Sequence, residues 1–447
     1  MRIIKSLSRF ARNSLIELCL VCGIGGLESR LDAKDILVPS QYSKIQDAVN
    51  SASAGDRILV APGTYIEQIS LKSGVTVQGE DRETTEIKFN NDAVVATNIE
   101  DSCIRGFTIT SSDGNGINMY NSYLEIRDNI IQDSKKGNGI YARVGRSSTV
   151  NLSGVINNVI ENNKRGIHYW ANVCDANLIV RGTIWNNIVS NNSGEGILLE
   201  ASSNCMGSNK CEPWVINNVI YGNESDGIKL NDQRQYGSTP YISNNIIAKN
   251  KGVGINNDQM TPTVAYNDVW DNTGGDYNNT ASLAGSISAD PQFVNPNSGD
   301  FHLQAGSPCI DAGRPTNAPL EDIDLNVRPQ CRDYDMGIDE YVYPSVKFKR
   351  GDTNFSGSVN IADAVCILSY LFGSGASSVD CKDRYTRCKN AFDSNSDGTV
   401  NLADAIKVLG HLFGNTGDLP EPFKNCGNGS AKYNLGCGCE DYSPCNN

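Results

Sequence analysis

Short stretches of alternating apolar and polar residues recur along the middle of the chain, between residues 104 and 270. One of them, VINNVIYGNESDGIKLND (215–232), consists of an aliphatic residue, a pair of asparagines, two strand residues, a polar turn, a Gly-Ile pair and a second short strand. Alternation with a period of two is typical of β-strands, and the polar segments between them indicate turns. The pattern therefore predicts an all-β protein built from many short strands.

This unit is a repeat, with further copies at residues 126–142, 155–171, 184–201 and 242–258. A repeat of about 20 to 30 residues made of short strands cannot bury its own apolar face, so the copies are expected to stack into a parallel β-helix. The second asparagine of each pair falls at the same turn, which predicts a ladder of stacked amides; the alternative is a catalytic site made of these asparagines. The ladder positions are Asn129, Asn158, Asn187, Asn218, Asn245 and Asn267, with Phe107 in the same register one turn earlier.

Two flanking segments extend the pattern beyond the repeats. Residues 42–80 place Ile45, Ala48 and Val49 at helical spacing before DRILVAPGTY, and residues 290–341 contain DPQFVNPNSGDFHLQAGSPCIDAG, DIDLNVRPQ and DMGIDEY. With the repeats, they resemble the right-handed parallel β-helix proteins of the pectate-lyase-like superfamily over residues 34–343. The resemblance implies a helical N-terminal cap, a C-terminal closing segment in which a Cys309–Cys331 disulfide would form, and a polysaccharide as the ligand or substrate.

The pattern changes after residue 343, where DTNFSGSVNIAD (352–363) and DSNSDGTVNLAD (393–404) form a duplicated pair. Each copy places oxygen ligands at loop positions 1, 3, 5, 7, 9 and 12 and glycine at position 6, the spacing of a calcium loop. Apolar residues at helical spacing follow each loop. The predicted ligands are Asp352, Asn354, Ser356, Ser358, Asn360 and Asp363 in the first loop and Asp393, Asn395, Asp397, Thr399, Asn401 and Asp404 in the second, with Ser358 and Thr399 using backbone carbonyls.

Position 12 is aspartate rather than glutamate, and the sequence shows no clear helix before either loop. These features resemble the type I dockerin, a duplicated module of calcium loop and helix. The resemblance implies calcium as cofactor and a cohesin-like protein as partner, although loop positions 10 and 11 are apolar here, where cellulosomal dockerins often carry hydroxyls. An ion-stabilised module without a partner is the alternative. The expected architecture is a right-handed parallel β-helix solenoid followed by a small α-helical dockerin-like domain (344–415) and a Cys-rich tail (416–447).

Charge and cysteine content narrow the function classes. The formal net charge of −13 argues against a nucleic-acid partner, whose phosphates require a basic surface. Residues 1–33 combine a basic start with an apolar run too short to span a bilayer, which predicts an export signal and a secreted or cell-surface protein that does not span the membrane. Of 15 cysteines, two lie in that segment, and the odd remainder predicts disulfides and at least one free thiol.

The register of the repeats nominates a candidate ligand surface. After each Gly-Ile pair, alternate side chains should point outward and form two columns. Aromatic rings beside cations and carboxylates suit sugars; the alternative is an ordinary solvated sheet face. The columns are Asn118, Tyr141, His168, Leu198, Lys229 and Asn256, and Tyr120, Arg143, Trp170, Glu200, Asn231 and Asp258. The candidate catalytic residues are Lys229, Arg143 and Glu200, and the candidate substrate-binding residues are Tyr141, His168, Trp170 and Asp258.

Two functions remain open at this level. The first is a carbohydrate-active enzyme, with a polysaccharide lyase preferred over a glycoside hydrolase: a cation would neutralise a uronate carboxylate, Lys229 or Arg143 would remove the C5 proton, and Glu200 or Asp226 would hold the cation. The second is a non-catalytic surface or matrix protein that uses the β-helix as a rigid binding rod. Lengthened segments follow the equivalent strand in three successive repeats, at residues 171–182, 201–214 and 232–241. They would border the site under either function.

Overall fold

The repeat region is built from three long parallel sheets. The computed structural model describes residues 33–145, 150–172, 178–202, 209–280, 284–330, 333–342, 346–374, 376–428, 439 and 442–445, so the predicted export signal and Cys331 lie outside the described residues. The first sheet contains β1 (Asp35–Val38), β2 (Arg57–Val60), β5 (Thr76–Gly79), β8 (Ser102–Arg105), β11 (Leu124–Arg127), β14 (Val150–Ile156), β17 (Leu178–Trp185), β21 (Trp214–Ile216), β24 (Tyr241–Ser243) and β27 (Thr263–Ala265), with β20 (Asn209–Cys211) paired to β17.

The other two sheets contain the strands that alternate with these along the chain. The second consists of β3 (Gly63–Ile66), β6 (Thr85–Phe89), β9 (Thr108–Ser111), β12 (Ile130–Gln132), β15 (Val159–Glu161), β18 (Ile188–Ser190), β22 (Val219–Tyr221), β25 (Ile246–Ala248) and β28 (Asp268–Trp270). The third consists of β4 (Ile69–Ser70), β7 (Val94–Thr97), β10 (Ile117–Tyr120), β13 (Asn138–Val144), β16 (Arg165–Asn172), β19 (Ile197–Ser202), β23 (Ile228–Asp232), β26 (Ile255–Asp258) and β29 (Tyr277–Asn278).

Successive strands belong to successive sheets, and each strand pairs in parallel with the strand one turn earlier and one turn later. This is a parallel β-helix, as the repeats predict. Its interior is filled by aliphatic columns, because the inward residue of every strand stacks on its counterparts in the adjacent rungs. In the third sheet, the inward column contains Val94, Ile117, Ile140, Ile167, Ile197, Ile228 and Ile255.

The predicted asparagine ladder is present at the turn between the first and second sheets. The Nδ2 of each asparagine donates to the Oδ1 of the next at 2.9–3.2 Å, from Asn129 through to Asn267. Asn129 Oδ1 accepts the backbone N–H of Phe107 at 3.1 Å, so Phe107 occupies the expected place at the end of the ladder. The ladder members are fully buried. The ladder therefore satisfies backbone groups in a turn from which water is excluded.

The first asparagine of each pair has a different role. Asn157, Asn186 and Asn217 have φ values of 57°, 53° and 55°, in the left-handed region that asparagine tolerates better than most residues. A second amide ladder follows five residues after the first, running through Asn163, Asn192, Asn223, Asn250 and Asn272 at the turn between the second and third sheets. The second ladder was not predicted, although the sequence contains its signal as a constant offset of five residues.

Both ends of the repeat region are covered by other segments. Helix α1 (Ile45–Ser51) packs against β1, β2 and β4 and buries Ile45, Ala48 and Val49, as their spacing predicts. At the other end, Ile287 forms a parallel bridge to Asp268 and extends the second sheet. The chain then forms the antiparallel hairpin β30 (Phe293–Asn295) and β31 (Asp300–Leu303), with a 3₁₀ turn at Pro296–Ser298 between them.

The closing segment, residues 290–341, also packs along the outside of the second sheet. Phe301 and Met336 join a buried cluster with outward residues of that sheet, including Val219 and Ile246. Asn217 Nδ2, in one of the left-handed turns, donates to the carbonyls of Asp335 and Gly337 at 2.9 Å. The expected Cys309–Cys331 disulfide is wrong, because Cys309 is a free, buried thiol that donates to Asp268 Oδ2 at 3.3 Å.

The C-terminal module contains the two helices that the duplicated loops predict. They are α2 (Ile361–Phe372) and α5 (Leu402–Phe413), which pack against each other, and α3 (Ala376–Arg387) and α4 (Lys389–Phe392) lie between them. The expectation that no helix precedes either loop is therefore wrong for the second loop. The Cys-rich tail is joined to the module by Cys388–Cys439, whereas Cys426–Cys445 lies within the tail and Cys366–Cys381 within the module. A 3₁₀ turn covers Ser443–Cys445.

Candidate functional site

The two predicted outward columns on the third sheet are confirmed by the strand register. Tyr141 pairs with Asn118 and His168, and His168 in turn pairs with Leu198. The neighbouring column continues in the same way from Tyr120 through Arg143, Trp170, Glu200 and Asn231 to Asp258, while Lys229 pairs with Leu198 and Asn256. The order is set by stacking, because a parallel rung places equivalent residues one strand spacing apart.

Three aromatic side chains form a contiguous platform on this face. The ring centroid of His168 lies 5.2 Å from that of Tyr141 and 6.1 Å from that of Trp170. The planes of the His168 and Trp170 rings are inclined by only 19°. Trp170 Nε1 donates to the Ser202 hydroxyl at 2.6 Å, which fixes the orientation of the indole. Burial raises the pKa of Tyr141 above its ordinary value, so its hydroxyl stays protonated at neutral pH.

Opposite charges lie on either side of this platform. The Arg143 guanidinium carbon is 5.0 Å from the Trp170 ring centroid and 6.0 Å from that of Tyr120, within the range of cation–π contacts. Glu200 Oε2 lies 3.1 Å from His168 Nε2, and Glu200 Oε1 accepts from Gln233 Nε2 at 3.0 Å. The sequence did not indicate the supporting roles of Tyr120, Ser202 and Gln233.

The remaining predicted residues differ in whether their side chains are already engaged by other residues. Lys229 is half-buried on β23 and forms no side-chain hydrogen bond or ion pair with other described residues, whereas Asp258 is exposed at the end of β26. Asp226 is held in its turn, because its Oδ1 accepts the Val253 N–H at 2.8 Å and its Oδ2 accepts Asn256 Nδ2 at 2.7 Å. Asp226 therefore has a structural role in the turn, and its role as a cation ligand stays a prediction.

Long strands form one border of this face. β13, β16 and β19 extend past the candidate residues to Val144, Asn172 and Ser202, and β20 pairs with the N-terminal part of β17. Parts of the predicted loops 171–182 and 201–214 lie outside the described residues. The platform thus lies on the flat face of a rigid sheet, a surface suited to an extended polymer rather than to a small enclosed molecule.

The duplicated loops have nearly identical hydrogen-bonding patterns. In the first, Asp352 accepts the N–H groups of Ser356 and Gly357 at 2.9 and 2.7 Å, and Asp363 accepts those of Asn354 and Asn360 at 3.0 and 2.7 Å. In the second, Asp393 accepts those of Asp397 and Gly398, and Asp404 accepts those of Asn395 and Asn401, at 2.9–3.2 Å. Asn360 and Asn401 also cap the following helices, forming capping boxes with Asp363 and Asp404.

Buried carboxylates dominate the electrostatics of these loops, and the buried Arg350 guanidinium lies 3.8 Å from Asp393 Oδ2 in the second. Asp352, Asp363, Asp393 and Asp404 are fully buried. Burial, with the nearby charge of Asp352 adding to it, raises the pKa of Asp363 to about 6, and burial with neighbouring carboxylates raises that of Asp404 to about 6. In the described ranges no three His, Cys, Asp or Glu side chains converge as a metal site. A cation here would also need the amide, hydroxyl and carbonyl oxygens that calcium accepts.

Equivalent apolar side chains are exposed on the two helices of the module. Positions that correspond in the duplicated sequences carry Ile361 and Leu402, Val365 and Ile406, and Phe372 and Phe413, each with 49–72% of its surface exposed. A matched pair of exposed apolar faces is uncommon on an isolated module. No helix in the described part of the chain is both long and apolar enough to cross a bilayer.

Comparison with known proteins adds little to this description. No protein-family model matches the chain, and no curated protein is similar to it. Among solved structures, pectate lyase Pel9A is 14% identical, with a TM-score of 0.38 over 69% of this chain and 96% of that one. The A-module of mannuronan C-5 epimerase AlgE4 from Azotobacter vinelandii is 16% identical (TM-score 0.33, 51% and 72% covered), and the polygalacturonase from Erwinia carotovora ssp. carotovora is 10% identical (TM-score 0.28, 60% and 100% covered). All three TM-scores are below 0.5, so the classification as a parallel β-helix protein rests on its own strand pairing.

Proposed function

We propose that this chain is an exported carbohydrate-active protein that binds an anionic polysaccharide along the outward face of the third sheet and cleaves it as a lyase. The observation that carries the proposal is the cluster of Tyr141, His168 and Trp170 rings, in which Tyr141 and Trp170 are half-buried and His168 is buried between them. Arg143 and Lys229 lie on the same face. Aromatic rings contact the C–H faces of sugars, and cations attract uronate carboxylates. Disulfides in the C-terminal module are consistent with an oxidising, extracellular location.

The residues suggest distinct roles in an elimination reaction. Arg143 would bind the carboxylate of a second uronate residue further along the polymer, because it lies three strand spacings, about 14 Å, from the rung of Lys229. Its planar guanidinium matches a carboxylate with two parallel hydrogen bonds. Lys229, in its neutral form, would take the C5 proton; the C4–O bond would then break to give a C4–C5 double bond, and water would protonate the leaving oxygen. Glu200 would hold His168 in place beside the substrate, through the 3.1 Å contact.

A second candidate is the non-catalytic binding rod. It is favoured by the contacts of Glu200, whose two oxygens are already engaged by His168 and Gln233, and by the use of Asp226 in its turn. Under this proposal the same face binds the polysaccharide, and no bond is broken.

Binding and turnover together distinguish these candidates. Purified full-length protein would be incubated with polygalacturonate, alginate and a glycosaminoglycan, and the ultraviolet absorbance of the unsaturated product would report elimination. Trp170→Ala should weaken oligosaccharide binding by about tenfold or more, whereas Lys229→Ala should abolish turnover with little change in binding. Trp214→Ala and Lys164→Ala, which replace exposed residues outside the columns, are matched controls. Binding without turnover would select the rod, and unchanged binding in Trp170→Ala would exclude this face as the site.

The C-terminal module is proposed to bind two calcium ions and to attach the chain to a cohesin-like partner. The paired loops supply the ligand oxygens, and the exposed faces of α2 and α5 supply a partner surface of duplicated character. Val365→Asp combined with Ile406→Asp should abolish capture by immobilised cohesin domains while leaving the calcium-dependent fold intact. A protein that captures no cohesin in the presence of calcium would indicate the alternative, an ion-stabilised module without a partner.

A further inference from the structure

A groove lies on a different side of the β-helix from the candidate site, where the closing segment meets the second sheet. In this sheet Tyr221, Ala248 and Trp270 occupy one outward column on three consecutive strands. The small Ala248 separates two large rings that are two rungs apart, about 10 Å at the usual strand spacing. The hairpin β30–β31 forms the opposite wall, and the groove between them has a volume of about 420 Å³.

The groove is rigid and mostly preformed. The ring of Tyr221 packs edge-on against Phe293 and Phe301 at 6.1 and 5.2 Å, and these two phenylalanines pack edge-on against each other at 5.1 Å. On the other side, Lys249 Nζ lies 4.5 Å from the centroid of the Trp270 ring. Side chains fixed in this way lose little conformational freedom when a ligand binds.

The polar groups at the rim have unused hydrogen-bonding capacity. Asp290, Gln292 and Gln304 line the opening and are exposed. Asp290 Oδ1 accepts the Gln292 N–H at 2.9 Å, and Gln304 Nε2 donates to the Phe293 carbonyl at 2.8 Å, which orients both side chains while leaving further lone pairs. A carboxylate and two amides above aromatic rings provide acceptors and donors for vicinal hydroxyl groups.

The charge balance of the groove argues against an anionic ligand. The only cation lining it, among the described residues, is Lys249, and this charge is already paired with Asp271. Asp290 adds a second carboxylate, so a uronate or sulfate would face net negative charge. We infer that this groove is a binding site for neutral sugar residues of a polysaccharide, whose C–H faces pack on Trp270 and Tyr221 and whose hydroxyls bond to Asp290 and the two glutamines. The site is separate from the face of the third sheet and does not depend on the proposed lyase activity.

The test uses the full-length protein and neutral hexasaccharides. Isothermal titration calorimetry with cellohexaose, xylohexaose and mannohexaose should show binding to at least one of them, in preference to hexagalacturonate. Trp270→Ala should weaken that binding about tenfold or more. Gln304→Ala, which leaves the packing of Tyr221 against Phe293 and Phe301 in place, should weaken it severalfold and covers the case in which Trp270→Ala does not fold. Trp214→Ala and Lys251→Ala, on other surfaces, should leave it unchanged.

The same titrations separate this site from the third-sheet face. Trp170→Ala should not alter neutral-sugar binding, and Trp270→Ala should not alter binding of an anionic polymer to the other face. The inference is overturned if none of the three neutral hexasaccharides binds at millimolar concentration, or if binding survives unchanged in both Trp270→Ala and Gln304→Ala. Preference for hexagalacturonate at this groove, shown by its loss in Trp270→Ala, would also overturn it.

Discussion

The asparagine ladder offers a direct test of how the β-helix is stabilised, through the substitution Asn187→Leu. Asn187 lies in the middle of the ladder and is fully buried. Its Oδ1 accepts both the backbone N–H and the Nδ2 of Asn158 at 3.0 Å, and its Nδ2 donates to the Val155 carbonyl at 2.8 Å and to Asn218 Oδ1 at 3.0 Å. Leucine is similar in size and removes all four hydrogen bonds.

The expected loss of stability depends on which hydrogen-bond partners of Asn187 keep other hydrogen bonds after the substitution. Asn158 Nδ2 still reaches the carbonyls of Ile126 and Ile156, at 2.9 and 3.0 Å. Asn218 Oδ1 still accepts the backbone N–H of residue 187 at 2.9 Å. The Val155 carbonyl lies in β14 and stays in the β-ladder with β17, whereas the Asn158 N–H loses its acceptor in a turn that excludes water. At about 1 to 3 kcal/mol for one such buried group, the substitution should reduce the free energy of unfolding by about 1 to 3 kcal/mol.

Thermal and urea unfolding, followed by the β-sheet signal in circular dichroism, would measure this change. The matched control is Asn231→Leu, the same replacement at a half-buried outward position of the third sheet, which should change stability by no more than about 0.5 kcal/mol. Asn187→Asp adds information, because a carboxylate keeps the acceptor role toward Asn158 but cannot donate to Val155. If Asn187→Leu is as stable as the wild type, the ladder does not stabilise the fold, and the hydrogen bonds of Asn187 do not contribute to the free energy of unfolding.

Three other predictions concern separate parts of the molecule. A calcium chelator should reduce the helical circular dichroism of the module, calcium should restore it, and Asp352→Ala combined with Asp393→Ala should reproduce the chelated state; a spectrum insensitive to chelator would contradict calcium binding. Hydrogen bonds to Asp324 and Asp300 raise the pKa of His302 from 6.5 to about 9, so their stabilising contribution should be complete below pH 6.5 and decline as the pH rises through about 9, and His302→Gln should remove this dependence from the melting curve. Glu200→Gln should lower affinity for an anionic polymer only indirectly, by releasing His168, so a gain in affinity would show that Glu200 instead repels the ligand.

Much of the β-helix could be predicted because its main contacts are periodic. Side-chain alternation within a strand and stacking between rungs are fixed by strand geometry, so positions such as Tyr141, Arg143 and Trp170 could be assigned to their columns from the sequence alone. The same periodicity predicted the first ladder. The second ladder was equally accessible, since its asparagines follow the first set by five residues.

Individual contacts within the candidate site were less accessible. The order of residues along a column does not reveal that Glu200 binds His168 and Gln233, or that Asp226 is used by Val253 and Asn256. These choices depend on rotamers and on which neighbouring donor is nearest. For the same reason the free state of Cys309 could not be inferred from its spacing to another cysteine.

The sequence by itself determined the solenoid, the inward and outward columns and the duplicated loops, because each of these follows from local geometry repeated at a nearly regular interval. Only the tertiary structure decided where the closing segment packs, and with it the groove between Trp270 and the β30–β31 hairpin. That segment occurs once and has no periodic partner. Its position depends on shape and on the left-handed turns at Asn186, Asn217 and Asn244, whose side chains donate to its backbone carbonyls. Such long-range complementarity leaves no regular pattern along the chain.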